Sequence, residues 1–174
     1  MSAFQHWASR IDRLCGHIDA AVRIALMFLM GLILSLLILQ VVMRYLVRTP
    51  LIWVEELTSY SLAFLVLWGA ACYIRSWQHI RVDTLFNALP EKIRMVLALF
   101  LNVLVVYFGY LLLTAGHQLA MLGATDLSDS GIFNLFWPRQ AMTTGGVLFI
   151  LQGGNNLLRI LAGNPGPLVY QERG

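Results

Sequence analysis

The chain has 174 residues, 59% of them hydrophobic and only 12% charged, against roughly 45–50% and about 25% in ordinary globular domains. A soluble chain of this size lacks the interior to bury so much apolar surface, and a disordered chain would be polar. The 12 basic and 9 acidic residues give +3, but the bases are scattered between apolar runs without interleaved aromatics, which excludes a nucleic-acid-binding surface.

The first stretch is amphipathic. Phe4, Trp7, Ile11, Leu14 and Ile18 recur at steps of three or four, with Arg10, Asp12, Arg13 and His17 elsewhere on the wheel. This spacing predicts an N-terminal helix lying flat in the headgroups, or one packed on a partner's cytoplasmic face. Residues 24–43 follow, an apolar run interrupted only by Gly31, Ser35 and Gln40. At 1.5 Å per residue such a run crosses the ~30 Å hydrocarbon core. A second run covers 57–74, with Thr58, Ser59, Ser61 and Gly69 as its weak points. Val82, Leu85, Phe86 and Leu89 then repeat the amphipathic pattern, which predicts a second interfacial helix at about 78–89. Pro90 before Glu91 marks a fresh helix start, with an acid near the positive end of the dipole. The third run, 95–115, is broken by Asn102, Gly109 and Thr114. The fourth, 137–161, is less apolar and holds Thr143, Thr144, two Gly pairs, Gln152, Asn155 and Asn156.

These patterns predict an all-α membrane protein with four transmembrane helices, at about 22–46, 53–75, 93–117 and 137–161. Residues 1–162 form a single domain, and the Gly/Pro-rich segment 163–174 is a flexible cytoplasmic tail. Arg10, Arg13, Arg23, Arg75, Arg81, Lys92, Arg94, Arg159 and Arg173 fall on one side, and Arg44, Arg48 and Arg139 on the other. By the positive-inside rule both termini are cytoplasmic.

Few residues suggest chemistry. Transport cores place ionisable groups deep in the bilayer or break helices at its midplane, and this chain does little of either. Glu55 and Glu56 open the second span at the depth where Arg44 closes the first. A charge-assisted Arg44–Glu55 or Arg44–Glu56 contact follows, with separately hydrated snorkelling side chains as the plainer alternative. Asn102 and Gln152 each lie nine residues from the cytoplasmic end of their helices. Their matching depth predicts a hydrogen bond between spans three and four, unless each meets a different partner. Gly145, Gly146, Gly153 and Gly154 suggest close helix packing. Asp126 and Asp129 lie in the second outer loop, as a solvated turn or a docking point for a protein on that face. Cys15 and Cys72 read as free thiols. No Gly-x-Ser-x-Gly, His-Glu-x-x-His or Walker-type motif occurs, so no enzyme, metal site or cofactor is expected. His79 and His117 stand near opposite interfaces, which is poor geometry for a haem ligand pair.

Four elements in order resemble a known family: Gln40-Val41-Val42-Met43-Arg44-Tyr45, Trp53-Val54-Glu55-Glu56, Gly69-Ala70-Ala71 with Arg75, and His79-Ile80-Arg81-Val82-Asp83. Together they are similar to the small membrane (DctQ-type) subunit of tripartite ATP-independent periplasmic (TRAP) transporters. The resemblance covers about residues 40–83. It implies a multi-pass protein of the bacterial inner membrane, partnered by a large membrane subunit, a periplasmic substrate-binding protein and membrane lipid. In such a system an organic acid enters on a sodium gradient, and the sodium and substrate sites lie in the large, elevator-type subunit. The small subunit braces the static part of that partner. By position, Arg44, Trp53, Glu55, Glu56, Arg75, His79 and Asp83 carry over as structural and interface residues, beside Asn102 and Gln152 read from the spans themselves. Two other readings use the same composition: a self-sufficient proton-coupled exporter built around Glu55 or Glu56, and a haem or quinone anchor of a redox complex.

Overall fold

The computed structural model describes residues 2–75 and 90–161. The expected interfacial helix at 78–89 and the tail at 163–174 lie outside the described residues. Within them the chain is helical, with a single bridge between Leu127 and Asn134 as its only β pairing.

Helix α1 is Ser2–Val42, 41 residues, about 61 Å long at 1.5 Å per residue. The expected separate amphipathic helix at the N-terminus is therefore not seen as such. The amphipathic stretch and the first span are one continuous helix. The boundary read from the sequence is a change of composition, and nothing between residues 18 and 24 breaks a helix: there is no proline and no glycine pair. The outward stripe is apolar, with Ile11, Leu14 and Ile18 exposed, whereas Cys15 and Asp19 are buried against the bundle. The helix widens into a π-helical turn, Met43–Val47, and stops at Arg48, which takes a left-handed backbone (φ 61°). The N–H groups of Arg48 and Thr49 both reach the Met43 carbonyl. Pro50 follows, and Ile52–Arg75 forms α2.

Helix α3 is Glu91–Leu122, with Pro90 as its N-cap residue at extended ψ. It runs five residues beyond the expected end at 117, because Leu119 to Leu122 stay helical until Gly123, whose N–H bonds back to Leu119 and Ala120. Arg139 lays its guanidinium over this terminus and donates to the Leu119 carbonyl at 3.2 Å, a cation at the negative end of the helix. Helix α4 is Phe136–Leu161. Its first N–H is capped by the Asn134 side chain at 2.8 Å.

Among the described residues three helical stretches are long and apolar enough to cross a membrane: Ser9–Val47, Ile52–Arg75 and Met95–Leu122. Helix α4 falls short in composition, yet it packs along α3 more extensively than any other pair. Glycines make this possible. A Cβ on Gly146 would stand 2.6 Å from the Leu113 nitrogen and 2.7 Å from the Gly109 carbonyl, and one on Gly116 2.7 Å from Met142 Cβ. Gly145 faces the other way, onto Leu67 of α2, and Gly154 meets nothing. Of the four glycines expected to pack, three do. Gly109 and Gly116, read from the sequence only as interruptions of an apolar run or not at all, supply the facing half of the seam. Ala71, Ile74 and Phe149 form a small core where α2, α3 and α4 meet. Most large apolar side chains point outwards instead, Phe28 being 84% exposed, as helices surrounded by lipid or by another protein require.

Candidate functional site

Polar side chains gather at the two ends of the bundle. At one end Arg44 Nη2 donates to Glu55 Oε1 at 2.6 Å, and Gln40 Nε2 donates to the same oxygen. Of the two partners the sequence allowed for Arg44, the structure therefore selects Glu55. Both side chains remain about half exposed, so the pair joins α1 to α2 without being withdrawn from solvent. Glu56, one residue on, points across the bundle. It accepts from the Ser130 N–H at 2.9 Å and from the Ser130 hydroxyl. That contact ties the outer loop to α2. The loop itself is a tight turn, with the Ser128 N–H on the Phe133 carbonyl and the Gly131 N–H on the Ser128 carbonyl, both at 2.8 Å. Gly131 sits at positive φ (70°), a conformation glycine adopts without strain. Asp126 and Asp129 are exposed on this loop. Trp53 is half-buried beside Val54, which is fully buried.

At the opposite end Asp12 is the hub. Its Oδ1 accepts from Asn155 Nδ2 at 2.9 Å and from Arg75 Nη2 at 3.2 Å, and Arg159 Nη1 stands 3.9 Å away. Arg75 Nη2 also donates to the Asp12 backbone carbonyl at 3.1 Å, and Nη1 to Gln152 Oε1 at 3.5 Å. A Cβ on Gly16 would approach Arg75 Nη2 to 3.1 Å, so the glycine leaves the guanidinium its place against α1. Asn156 Nδ2 donates to the Ile74 carbonyl of α2 at 2.8 Å. Three helices thus converge on one carboxylate. Glu55 and Arg75 are 20 residues apart on α2, about 30 Å, so the two polar ends are separated by about one hydrocarbon thickness.

The expected Asn102–Gln152 hydrogen bond is not formed. Asn102 donates to the Ala98 carbonyl of its own helix at 2.8 Å, and Gln152 accepts from Arg75. Both side chains are fully buried. The reason is stagger. Gly153 of α4 lies against Val105 and Val106 of α3, which puts Asn102, one turn further, level with Asn156 and not with Gln152. Matching depths from the helix ends assumed that both helices end at one level, and they do not. At mid-depth the polar contact between helices is instead Trp68 Nε1 to Thr144 Oγ1, 3.0 Å. His79 and Asp83 lie outside the described residues.

Sequence reasoning missed Asp12, Asn155, Asn156 and Trp68 as contact residues. Asp12 read as the polar side of a surface helix, and the asparagines as weaknesses in a span. The available signal was the clustering of amides on one face of α4 at residues 152, 155 and 156, a spacing of three and four that shares a helix face. Chemically the site offers ion pairs and amide contacts between helices. Among the described residues no three of His, Cys, Asp and Glu converge as a metal site would require. Glu55 and Glu56, the acids an exporter would use, are both engaged.

The chain matches the family described as "Tripartite ATP-independent periplasmic transporters, DctQ component" over residues 32–163. It is 30% identical over 139 residues to the sialic acid TRAP transporter small permease protein SiaQ of Vibrio cholerae, covering 78% of this chain and 80% of that protein. It is 33% identical over 109 residues to the C4-dicarboxylate TRAP transporter small permease protein DctQ of the same organism, covering 63% of this chain and 46% of that protein. A shorter match, 36% identical over 73 residues, covers 42% of this chain and 12% of the sialic acid TRAP transporter permease protein SiaT of Haemophilus influenzae.

Proposed function

The chain belongs to the DctQ family of TRAP transporter components, and from that premise we propose that it braces a large permease subunit in the bacterial inner membrane. The observation that carries this reading is the use of its polar groups. Arg44, Glu55, Glu56, Asp12, Arg75 and Arg159 join helices and the outer loop to one another at the two ends. None of these six is placed between the ends, where a solute path would need it, and the Asp19–Arg23 pair further along α1 is closed within one turn of its own helix. A part that holds its own helices together and turns an apolar surface outwards is suited to a static role beside a moving partner. The match to 12% of a permease protein supports a small unit working beside a much longer one.

The same reading has the chain crossing the membrane four times with both termini in the cytoplasm. Helix α4 runs antiparallel to α3 in backbone contact, so it shares the depth of a span although its own composition is weaker. The buried amides of α4 face the bundle, which spares them contact with lipid. Arg10, Arg13, Arg23, Arg75 and Arg159 collect towards the Asp12 end, which under the positive-inside rule supports an inside location for that end. The transported solute is an organic acid, since sialic acid and C4-dicarboxylates, named for the two small relatives, are both carboxylates. A periplasmic binding protein delivers it, with Asp126 and Asp129 on the outer loop as a docking point. Sodium coupling resides in the large subunit, and this chain needs no cofactor of its own.

The test is reconstitution. The purified chain alone in liposomes should move no organic acid, and the chain should co-purify with a larger membrane protein from its own operon. Solute uptake by the lone chain would overturn the bracing role.

A further inference from the structure

Helices α1 and α2 are tied at both ends, and between them α1 buries Ile33 and Leu36. Towards the Asp12 end the two helices leave a groove of about 420 Å³ lined by Arg23, Leu26, Met27, Gly69, Cys72 and Tyr73, within the roughly 300–1,000 Å³ range of small-ligand sites. The space over Gly69 is open: a Cβ there would meet nothing within 4 Å. The groove opens sideways, since Met27 and Tyr73 are 67% and 55% exposed. It therefore faces whatever surrounds the helices at that depth.

The walls are apolar and the mouth carries a cation. Arg23 stands at the start of the apolar run of α1, about 16 Å along the helix from Asp12, from where its long side chain can reach towards the headgroups. Its ion pair with Asp19 runs through Nε, at 2.8 Å. The forked pair of terminal nitrogens points away from that bond, and the side chain is about half exposed. Such a fork matches two oxygens of a phosphate diester, while Leu26, Met27 and the bare backbone at Gly69 offer an acyl chain a slot. We propose that this groove binds one phospholipid of the leaflet that the Arg23 end enters, with its phosphate on the terminal nitrogens of Arg23 and one acyl chain lying over Gly69. Because Asp19 already balances the guanidinium charge, the site reads the phosphate and not net negative charge. Phosphatidylethanolamine and phosphatidylglycerol are both ligands. The inference needs the chain to sit in lipid and does not depend on the bracing role.

The experiment is native mass spectrometry of the full chain released from nanodiscs of phosphatidylethanolamine and phosphatidylglycerol. One retained phospholipid is expected. Arg23→Gln should lower the lipid-bound fraction about tenfold, as loss of a charge-assisted contact does. Gly69→Leu sets a side chain into open space, so it should lower retention as strongly while leaving the unfolding temperature unchanged. Retention unaffected by both substitutions overturns the site. So does a Gly69→Leu chain that keeps its lipid but no longer co-purifies with a larger membrane protein, because the groove would then belong to that partner.

Discussion

Along α3 and α4 the backbones touch, with Gly109, Gly116 and Gly146 giving up their side chains to let them. Along α1 and α2 the contact is of another kind: an ion pair at one end, the Asp12 hub at the other, and an open groove between. In lipid no hydrophobic force draws helices together, so close packing and polar contacts are the two remaining ways to join them. This chain uses one for each pair. The glycine seam gives a rigid unit, and the polar ties hold a long peripheral helix whose outer face stays free.

The largest effect should come from the rigid seam. Gly146→Leu drives a side chain into the α3 backbone and should destabilise the chain by about 3 kcal/mol or more, read as lost folded monomer in thermal unfolding in detergent. Gly154→Leu, about two turns further along the same helix but facing open space, should stay within about 0.5 kcal/mol of the parent. Equal effects would mean that helix propensity, and not close approach, governs α4.

The polar ties should give smaller, more local effects. Arg75→Leu removes the better-buried of the two cations at Asp12 and should cost about 2 kcal/mol. Hydrogen exchange should then rise in residues 9–20 of α1 while α3 and α4 keep their protection. Uniform deprotection of all helices would show instead that the hub holds the whole bundle. The smallest effect belongs to the half-exposed pair at the other end. Arg44→Glu should cost about 0.5–1 kcal/mol, and adding Glu55→Arg should restore part of it, whereas Glu56→Arg should not. A double variant no better than its singles would remove the pair as a tie.

Much of this was legible because the bilayer imposes simple rules. Apolar runs of about 20 residues must be helices in lipid, and the positions of α2 and α4 came out within a residue or two of 53–75 and 137–161. Arg44 with a following glutamate was legible because ten residues of connection leave two antiparallel neighbours little choice. Which glutamate was not, since Glu55 and Glu56 differ by about 100° around the helix, and only the packing of α2 decides which faces α1 and which faces the loop.

The amino-acid sequence by itself determined the membrane class, the helical architecture and the family, because these depend on composition, run length and residues close in the chain. Only the tertiary structure decided that α1 is continuous, that Asp12 gathers Arg75, Asn155 and Arg159, and that Asn102 misses Gln152. Those outcomes depend on the stagger and rotation of helices against one another. A shift of one turn, about 5.4 Å, exchanges every partner along a seam while leaving the hydropathy pattern unchanged.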